Sequence, residues 1–393
     1  MLRFLTAGES HGKALVVVVE GVPAGLPLTV GEVCEELARR RLGYGRGPRM
    51  RVERDEVTLL GGVRHGRTLG SPVAIEIANT EWPKWSTEMS PEPGTPARPL
   101  TAPRPGHADL SGMQKYGFSD ARDVLERASA RETAARVAAG CIAKSLLATV
   151  DVQILSHVVA LGSAAVPAGQ ARPLPTDLDR IDESPVRCAH PASEQDMIAQ
   201  VRAAAKAGDS LGGSVEVLAY GVPVGLGSHV HWDRKLDGLL AQSVMSIQAV
   251  KAVEIGDGAA VSRLRGSDAH DAIYWSPEDA SYFRRTDRAG GVEGGISTGS
   301  LLWLRASMKP LATLNRPVLA TVDVETKQAT VSFKERTDVT AVPAMGVVAE
   351  TMVALTLANE SLRKFGGDSV AEFERNFRAY LHNLGGTPSA ARA

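Results

Sequence analysis

Cysteine is scarce in this chain of 393 residues, which has only Cys34, Cys141 and Cys188. Three cysteines fit neither a disulfide framework nor a zinc-binding pattern, so we expect a protein of the reducing cytoplasm that holds no metal. Net charge is also nearly absent, at −1 from 44 basic and 45 acidic residues, which argues against a general attraction to nucleic acid or to a membrane surface. The longest early apolar run covers only residues 14–19, and we therefore expect neither a signal peptide nor a transmembrane helix.

What the chain does have is an internal repeat. Residues 7–26 and 207–226 align at an offset of 200, and ten of the twenty aligned positions are identical. Weaker matches follow in the same order, residues 66–71 with 295–300 and residues 120–133 with 338–351. This order indicates an internal duplication, in which each copy has antiparallel strands followed by a long helix.

The repeat also sets the expected domain boundaries. We predict one pseudo-symmetric domain over residues 1–365, with the first copy at about 1–150 and the second at about 205–365. The segment between the copies, 151–205, carries no pattern that assigns it a role. Residues 366–393 are weakly patterned and are predicted to form a C-terminal tail with a disordered end.

The densest chemistry lies in residues 104–140. Ser129 and Glu132 have the spacing of a capping box, and apolar residues recur at helical spacing from Ala134 onward, so the pattern predicts a helix that begins near Ser129. The positive end of this helix, with Arg127 and Arg131 beside it, favours an anion. We interpret it as a phosphate site.

Two histidines are predicted to lie on turns. His107 follows Pro105 and Gly106, where the backbone can approach a ligand closely, although a histidine with a purely structural hydrogen bond is the alternative. His11 lies between two predicted strands, residues 2–6 and 14–20, at the tip of a hairpin. The repeated hairpin has Leu211 at the matching position, so the chemistry is expected on one copy only.

A basic loop and a proline-rich loop remain open to two interpretations each. Residues 39–54 hold seven arginines, which suits a clamp for a small polyanion or, alternatively, an RNA-binding or merely exposed patch. Residues 82–105 hold seven prolines and are predicted to be an extended loop, either a lid or an oligomer contact. The glycine-rich residues 284–299 lack the dinucleotide fingerprint, so a Rossmann nicotinamide site is not indicated.

Seven motifs together resemble the chorismate synthase family over residues 1 to about 365. They are GESHG at 8–12, RPGHAD at 104–109, ERASARETAARVAAG at 126–140, GDSLGG at 208–213, MSIQAVKAVEIG at 245–256, RAGGVEGGISTG at 288–299 and RTDVTAVPA at 336–344. The resemblance implies a carbon–oxygen lyase that converts 5-enolpyruvylshikimate 3-phosphate to chorismate by 1,4-elimination of phosphate. It implies reduced FMN (FMNH2) as cofactor, with no net redox change.

The resemblance also implies a fold and an assembly. The expected fold is α+β, an internally duplicated β-α-β sandwich with helices packed between two antiparallel sheets. The expected assembly is a homotetramer, with the shikimate ester as small-molecule partner and with neither nucleic acid nor membrane as partner. A link to NADP could arise only through flavin reduction, and the missing fingerprint favours an enzyme that depends on externally reduced FMN.

Residue roles follow from the same resemblance. His11 and His107 would be acids, and Asp338 would accept a proton. The implied cofactor-binding residues are Arg127, Ala128, Ser129, Gln248, Ala249, Gly294, Lys309, Pro310, Leu311, Ala312, Thr313 and Arg336. The implied substrate- or anion-binding residues are Ser10, Arg40, Arg46, Arg49 and Arg131. Ala128 stands where the family usually has a serine, so the role of that hydroxyl is lost here.

Two rival functions come from different classes. Residues 8–12 match the G-x-S-x-G pattern of serine hydrolases, but a strand rather than a helix is predicted after Ser10, which argues against a nucleophile elbow. A non-enzymatic flavin- or RNA-binding module that uses residues 39–54 would bind with a steep dependence on salt and little dependence on His107.

Overall fold

The longer strands build two antiparallel sheets. The computed structural model describes residues 1–46, 55–316, 318–333 and 337–384. The strands are β1 (Arg3–Ala7), β2 (Ala14–Glu20), β3 (Glu56–Gly61), β4 (Val73–Ala78), β5 (Gln153–Leu161), β6 (Gly213–Tyr220), β7 (Val250–Ile255) and β8 (Leu302–Met308). Sheet 1 has the order β1-β2-β4-β3, and sheet 2 has the order β5-β6-β8-β7 with the two-residue strand Ala164–Ala165 beside β5.

Shorter strands form separate hairpins, and helices connect or cover the sheets. The hairpins are Val63–Arg64 with Arg67–Thr68, Ile273–Ser276 with Ser281–Arg284, Val292–Glu293 with Ile296–Ser297, and Ala320–Val322 with Ala329–Val331. The helices are α1 (Val30–Arg41), α2 (Asp109–Tyr116), α3 (Arg122–Ala128), α4 (Thr133–Ala148), α5 (Leu178–Glu183), α6 (Pro191–Ala207), α7 (Leu236–Met245), α8 (Val342–Phe365) and α9 (Val370–Asn383). One-turn helices lie at Trp82–Trp85 and Gly266–Ala269, and 3₁₀ turns lie at Ala130–Glu132, Pro175–Asp177, Trp232–Arg234 and Gly258–Arg263.

The core lies between the helices and the inner faces of the sheets. Alternate side chains of β2, among them Leu15, Val17 and Val19, are fully buried, as the period of two in a half-buried strand requires. Helices α1 and α4 pack on sheet 1, α7 and α8 pack on sheet 2, and α4 packs along α8. The architecture is therefore α+β. Helix α4 contacts sheet 1 and α8, and helix α8 contacts sheet 2 and α4.

Helix α8 is long and apolar enough to cross a membrane by composition alone. Its most apolar 18-residue window is 89% buried inside the fold, however, so this helix is a core helix. A helix that is apolar around its whole circumference is the one expected at the centre of a layered fold.

The strand registers follow the offsets of the sequence repeat. Val17 of β2 lies opposite Ile75 of β4, and Val217 of β6 lies opposite Leu304 of β8. The members of these two pairs differ by 217 − 17 = 200 and 304 − 75 = 229 residues, which are the offsets of the first two repeats. Because a slip of one residue would turn every side chain to the opposite face, the shared register places the same positions of both copies inward.

The predicted tail is wrong for residues 370–383, which form α9. Ser369 accepts a hydrogen bond from the Glu372 backbone, and the Glu372 carboxylate accepts one from the Ser369 backbone, so a capping box begins this helix. Phe373 and Phe377 are buried against Phe365, with ring centroids 6.2 and 5.0 Å from it. Burial of these rings explains why the segment stays folded; residues 385–393 lie outside the described residues.

Candidate active site

His11 lies at the tip of the β1–β2 hairpin, as the sequence predicts. The turn depends on Gly8, which has a φ of +99° and where a Cβ would lie 2.3 Å from the Ala14 carbonyl oxygen. Nδ1 of His11 lies 2.9 and 3.0 Å from the two carboxylate oxygens of Glu126 in α3. The His11 backbone N–H also donates to Glu126, at 2.9 Å. One carboxylate therefore holds both the ring and the backbone of this histidine.

His107 lies on the turn before α2, which was also predicted. Its backbone N–H donates to the Arg104 carbonyl oxygen at 3.3 Å, and Gly106 adopts a φ of +78°. Nδ1 of His107 contacts the fully buried carboxylate of Asp109. Arg104 donates to the same carboxylate through Nε at 2.9 Å. The second histidine is thus also held at Nδ1 by a carboxylate.

The two carboxylates determine which ring nitrogen is available for proton transfer. An ionised carboxylate only accepts hydrogen bonds, so Nδ1 is the donor and Nε2 is left for chemistry. Burial by itself would raise the pKa of Asp109, but hydrogen bonds from His107 and Arg104 hold this pKa well below its ordinary value. Burial likewise opposes ionisation of Glu126, and the bonds from His11 nevertheless lower its pKa. Both carboxyls are ionised at neutral pH.

The start of α4 differs from the predicted capping box. The helix is preceded by the 3₁₀ turn Ala130–Glu132, which the Ser129 side chain caps. The Glu132 carboxylate accepts hydrogen bonds from Thr6 Oγ1 at 2.7 Å and from Gln248 Nε2 at 3.1 Å. The capping box is therefore wrong, because donors from β1 and from the segment after α7 occupy this carboxylate instead of the Ser129 backbone.

An open cavity of about 370 Å³ lies beside Glu132. Its lining residues are Phe4, Leu5, Thr6, Arg127, Glu132, Arg136, Ser246, Gln248 and Met352. Arg127 donates to the carbonyl oxygens of Gly8 and Thr6, both at 2.9 Å, and 42% of its side-chain surface remains exposed. Arg136 is paired with Glu132 at 2.8 Å. Two guanidinium groups against one carboxylate leave the lining with an excess positive charge, which fits an anionic ligand.

Residues 309–313 lie against the turn that carries His107. The Lys309 backbone N–H donates to the Ala249 carbonyl oxygen at 3.0 Å, and Lys309 Nζ donates to the Gly106 carbonyl oxygen. Arg104 Nη1 donates to Thr313 Oγ1 at 3.0 Å. Pro310, Leu311 and Ala312 lie between these contacts. The fold thus joins three separately predicted segments at one place.

The predicted anion-binding arginines are only partly described. Arg46 pairs with Asp338, with 3.1 Å between Nη1 and Oδ2, so a predicted clamp residue holds the predicted base. Arg40 is buried within α1. Arg49 and Arg336 lie outside the described residues, as does the second half of the basic loop, residues 47–54.

Arg131 makes contacts of a different kind. Its Nε donates to Asn79 Oδ1 at 3.1 Å, and its Nη1 pairs with Asp55 at 2.5 Å. Asn79 in turn donates to the Gly12 carbonyl oxygen at 2.7 Å. Arg131 is therefore part of the support beneath the His11 turn.

Gly294 lies apart from the other predicted cofactor residues. It occupies the turn of the hairpin Val292–Glu293 with Ile296–Ser297, where the Leu236 N–H at the start of α7 donates to the Gly295 carbonyl oxygen at 2.9 Å. Gln248 follows the last turn of α7, a helix of ten residues. Such a helix is about 15 Å long, so the chain places Gly294 and Gln248 at opposite ends of it.

Ser10 is not arranged as a hydrolase nucleophile. It is buried, its Oγ accepts a hydrogen bond from Ser129 at 3.2 Å, and β2 rather than a helix follows it. The neighbouring imidazole of His11 is bound to Glu126. A nucleophile elbow requires a helix after the serine and a base on its hydroxyl, so the geometry does not support the hydrolase alternative.

Three residues that contact the two histidines were not predicted as site residues from the sequence: Asp109, Glu126 and Trp85. The signal for Asp109 was present, because an acidic residue two positions after a histidine on a turn can reach its ring. Glu126 lies 115 positions from His11 and gave no local signal. Trp85 stacks on His11 with ring centroids 4.1 Å apart, a contact that only the folded chain creates.

Comparisons with known proteins point in one direction. A family model described as chorismate synthase matches residues 2–362. Curated relatives described as chorismate synthase include proteins of Streptomyces coelicolor, 60% identical with 98% of each chain covered, and of Thermobifida fusca, 58% identical with 98% of this chain and 99% of the relative covered. A crystal structure described as chorismate synthase superposes with a TM-score of 0.78 at 39% identity and covers 98% of each chain.

Proposed function

Because this chain belongs to the chorismate synthase family, it is a lyase with chorismate synthase function, and we propose that His11 and His107 are its acids. The observation that carries this proposal is the matched geometry of the two histidines. Each is held at Nδ1 by a buried, ionised carboxylate on a helix, so each directs Nε2 away from its support. An imidazole held in this way can give and take a proton at Nε2.

The residues around the cavity fit reduced FMN as the cofactor. When bound, FMN would supply the reduced flavin ring that the elimination of phosphate requires. The reaction as a whole causes no net redox change. Arg127 and Gln248 would hold it from the cavity wall, and the excess positive charge there suits its phosphate. The Ala249 carbonyl oxygen accepts a hydrogen bond from the Lys309 N–H at 3.0 Å. Ala128, Ser129, Ala249 and residues 309–313 would therefore extend the binding surface toward His107.

The substrate brings a phosphate and two carboxylates, so its site needs cations and protons. His107 would protonate the departing phosphate, because Asp109 and Arg104 fix its ring. Asp338 would accept a proton, and Arg46 would hold its carboxylate in place through their ion pair.

We propose further that the domain over residues 1–365 is an internally duplicated sandwich with helices between its two sheets. The shared strand order and the shared register offsets support it. The offsets of 200 and 218 lead from His11 and Glu126 to Leu211 and Ala344, so the second copy lacks both members of the pair. One active site per chain follows from this difference.

The experiment that tests the function is an anaerobic assay with the shikimate ester. Purified chain with reduced FMN should form chorismate, while NADPH with oxidised FMN should give no steady turnover, since no nicotinamide fingerprint is present. Titration with reduced FMN should saturate at one flavin per chain. Turnover with NADPH alone, or two flavins per chain, would contradict the corresponding part of the proposal.

We expect self-association as a homotetramer in the cytoplasm, with neither nucleic acid nor membrane as partner. The support lies in the outer faces of the sheets. In sheet 2, Leu155, Leu218 and Trp303 are buried with Ile181 of α5. The register-matched residues of sheet 1 are Leu5, Val18 and Ala74, and Leu5 and Val18 are 71% and 38% exposed. An apolar sheet face of this kind normally packs against a partner.

Sedimentation velocity tests the assembly. The native chain should sediment with the mass of four chains, and Val18→Glu should lower that mass because it places a charge in the apolar face. Val18→Ala is the matched control and should keep the tetramer. A native monomer, or equal masses for both variants, would rule out this face as the contact.

A further inference from the structure

His11 is enclosed by two groups that belong to distant parts of the chain. Glu126 of α3 bonds to its Nδ1 and to its backbone N–H, at 2.9 Å each. The indole of Trp85 stacks on its ring at 4.1 Å between centroids, with 30° between the planes. A ring held at Nδ1 and stacked on one face is fixed both in rotation and in plane.

We propose that Glu126 and Trp85 are positioning residues for His11, the carboxylate fixing its tautomer and the indole fixing its plane. This inference rests on the proposed role of His11 as an acid. Both residues contact the imidazole, so both would act through it.

The charges around the pair support the role of Glu126. Its side chain is only 2% exposed, and Arg122 donates to it at 2.9 Å from one turn earlier in α3. Arg122 also lies 3.9 Å from Glu88 and stacks over Trp85 at 5.0 Å. The carboxylate is thus shared between a permanent cation and the imidazole. The His11 and Glu126 side chains are only 14% and 2% exposed, so the hydrogen bond between them is stronger than it would be in water.

Trp85 gives the proline-rich segment 82–105 a function within the chain. Its one-turn helix, Trp82–Trp85, is followed by residues without regular structure up to the turn of His107. The segment therefore begins with a contact to one histidine and ends at the other. Such a placement favours a cover over the site, because the indole excludes water from one face of His11.

Kinetics test the role of Glu126. Glu126→Gln keeps the size of the side chain and removes its charge, so kcat should fall by roughly 10–100-fold, with KM changed by less than about threefold. Glu126→Asp restores the charge and should recover most of the lost kcat. Turnover by Glu126→Gln within about threefold of the native chain would overturn the proposal.

Tryptophan fluorescence gives a readout that does not depend on turnover. A protonated imidazole quenches an indole stacked on it, so emission of the flavin-free chain should fall as pH is lowered. Trp85→Phe should abolish this change, and Trp82→Phe, three positions away in the same one-turn helix, should leave it intact.

The two measurements separate the possible failures. If His11→Ala loses the quench but keeps full turnover, the proposed role of His11 is wrong and the contact itself stands. If Trp85→Phe leaves the quench unchanged, the indole does not hold the ring and its positioning role is wrong. Should Glu126→Gln fail to fold, two conservative variants still test the proposal. Glu126→Asp keeps the charge and tests whether a carboxylate supports turnover. Trp85→Phe keeps an aromatic ring and tests the contact with His11.

Discussion

Replacing His107 with alanine is expected to slow chorismate formation by ~10²–10⁴-fold, the range for loss of a positioned acid. His107 lies on a turn, where its ring contacts Asp109. Removing the ring should therefore leave the fold and flavin binding nearly unchanged. His11→Ala should have an effect of similar size. Steady-state kinetics with reduced FMN, circular dichroism and flavin titration of each variant check these three statements.

The chain offers a matched control for His107. His231 also bonds through Nδ1 to an aspartate two residues later, Asp233, at 2.8 Å, but its side chain is 58% exposed. His231→Ala therefore removes the same local pair from a surface position. It should turn over within about threefold of the native chain. Equal losses of turnover in both variants, or undiminished turnover by His107→Ala, would contradict the assignment of His107 as an acid.

The parts of the fold that sequence predicted are those with a local or repeated signal. The first hairpin, the turn of His107 and the register offsets all come from patterns within about twenty residues or from the repeat itself. Strand alternation and turn residues are short-range properties, so a single sequence contains them.

The parts that sequence could not predict depend on competition between distant groups. Glu132 has the spacing of a capping residue, yet Thr6 and Gln248 reach its carboxylate from elements 126 and 116 positions away. Glu126 likewise contacts His11 from 115 positions away in the sequence. Helix α9 differs, because the spacing of Ser369 and Glu372 was a local signal for its start that the weak patterning of the tail concealed.

Removing the Glu350 carboxylate is expected to cause the largest loss of stability. Glu350 is fully buried in α8 and accepts hydrogen bonds from Arg39 at 2.8 Å, Lys144 at 2.6 Å and Arg187 at 3.0 Å. Ser156 donates to it at 2.7 Å. Glu350→Ala should lower the free energy of unfolding by about 3–5 kcal/mol, because it leaves buried cations without their counter-charge. Urea denaturation measures this loss.

This carboxylate is also the counterpart of one in the site. An offset of 218 relates Glu132 to Glu350, and Thr6 and Ser156 occupy matching register positions opposite Val17 and Val217. Each hydroxyl donates to its carboxylate at 2.7 Å. Glu132 borders an open cavity, whereas Glu350 is enclosed by cations. Under the proposed duplication, the same scaffold would carry a binding surface once and a structural ion cluster once.

The pH dependence of stability distinguishes this ion cluster from simple packing. Burial would raise the pKa of Glu350, but the charges of Arg39, Lys144 and Arg187 depress it well below its ordinary value. A carboxyl with a depressed folded-state pKa contributes stability that is present above its unfolded pKa, about 4.3, and is lost as pH falls toward the folded value. The native chain should therefore lose stability steeply below about pH 4, and Glu350→Gln should be less stable at pH 7 but flatter in acid. Glu374→Ala removes a partly exposed carboxylate, 28% exposed and paired with Arg378, and should follow the native curve. Parallel curves for native and Glu350→Gln would show that the charge of Glu350 contributes nothing.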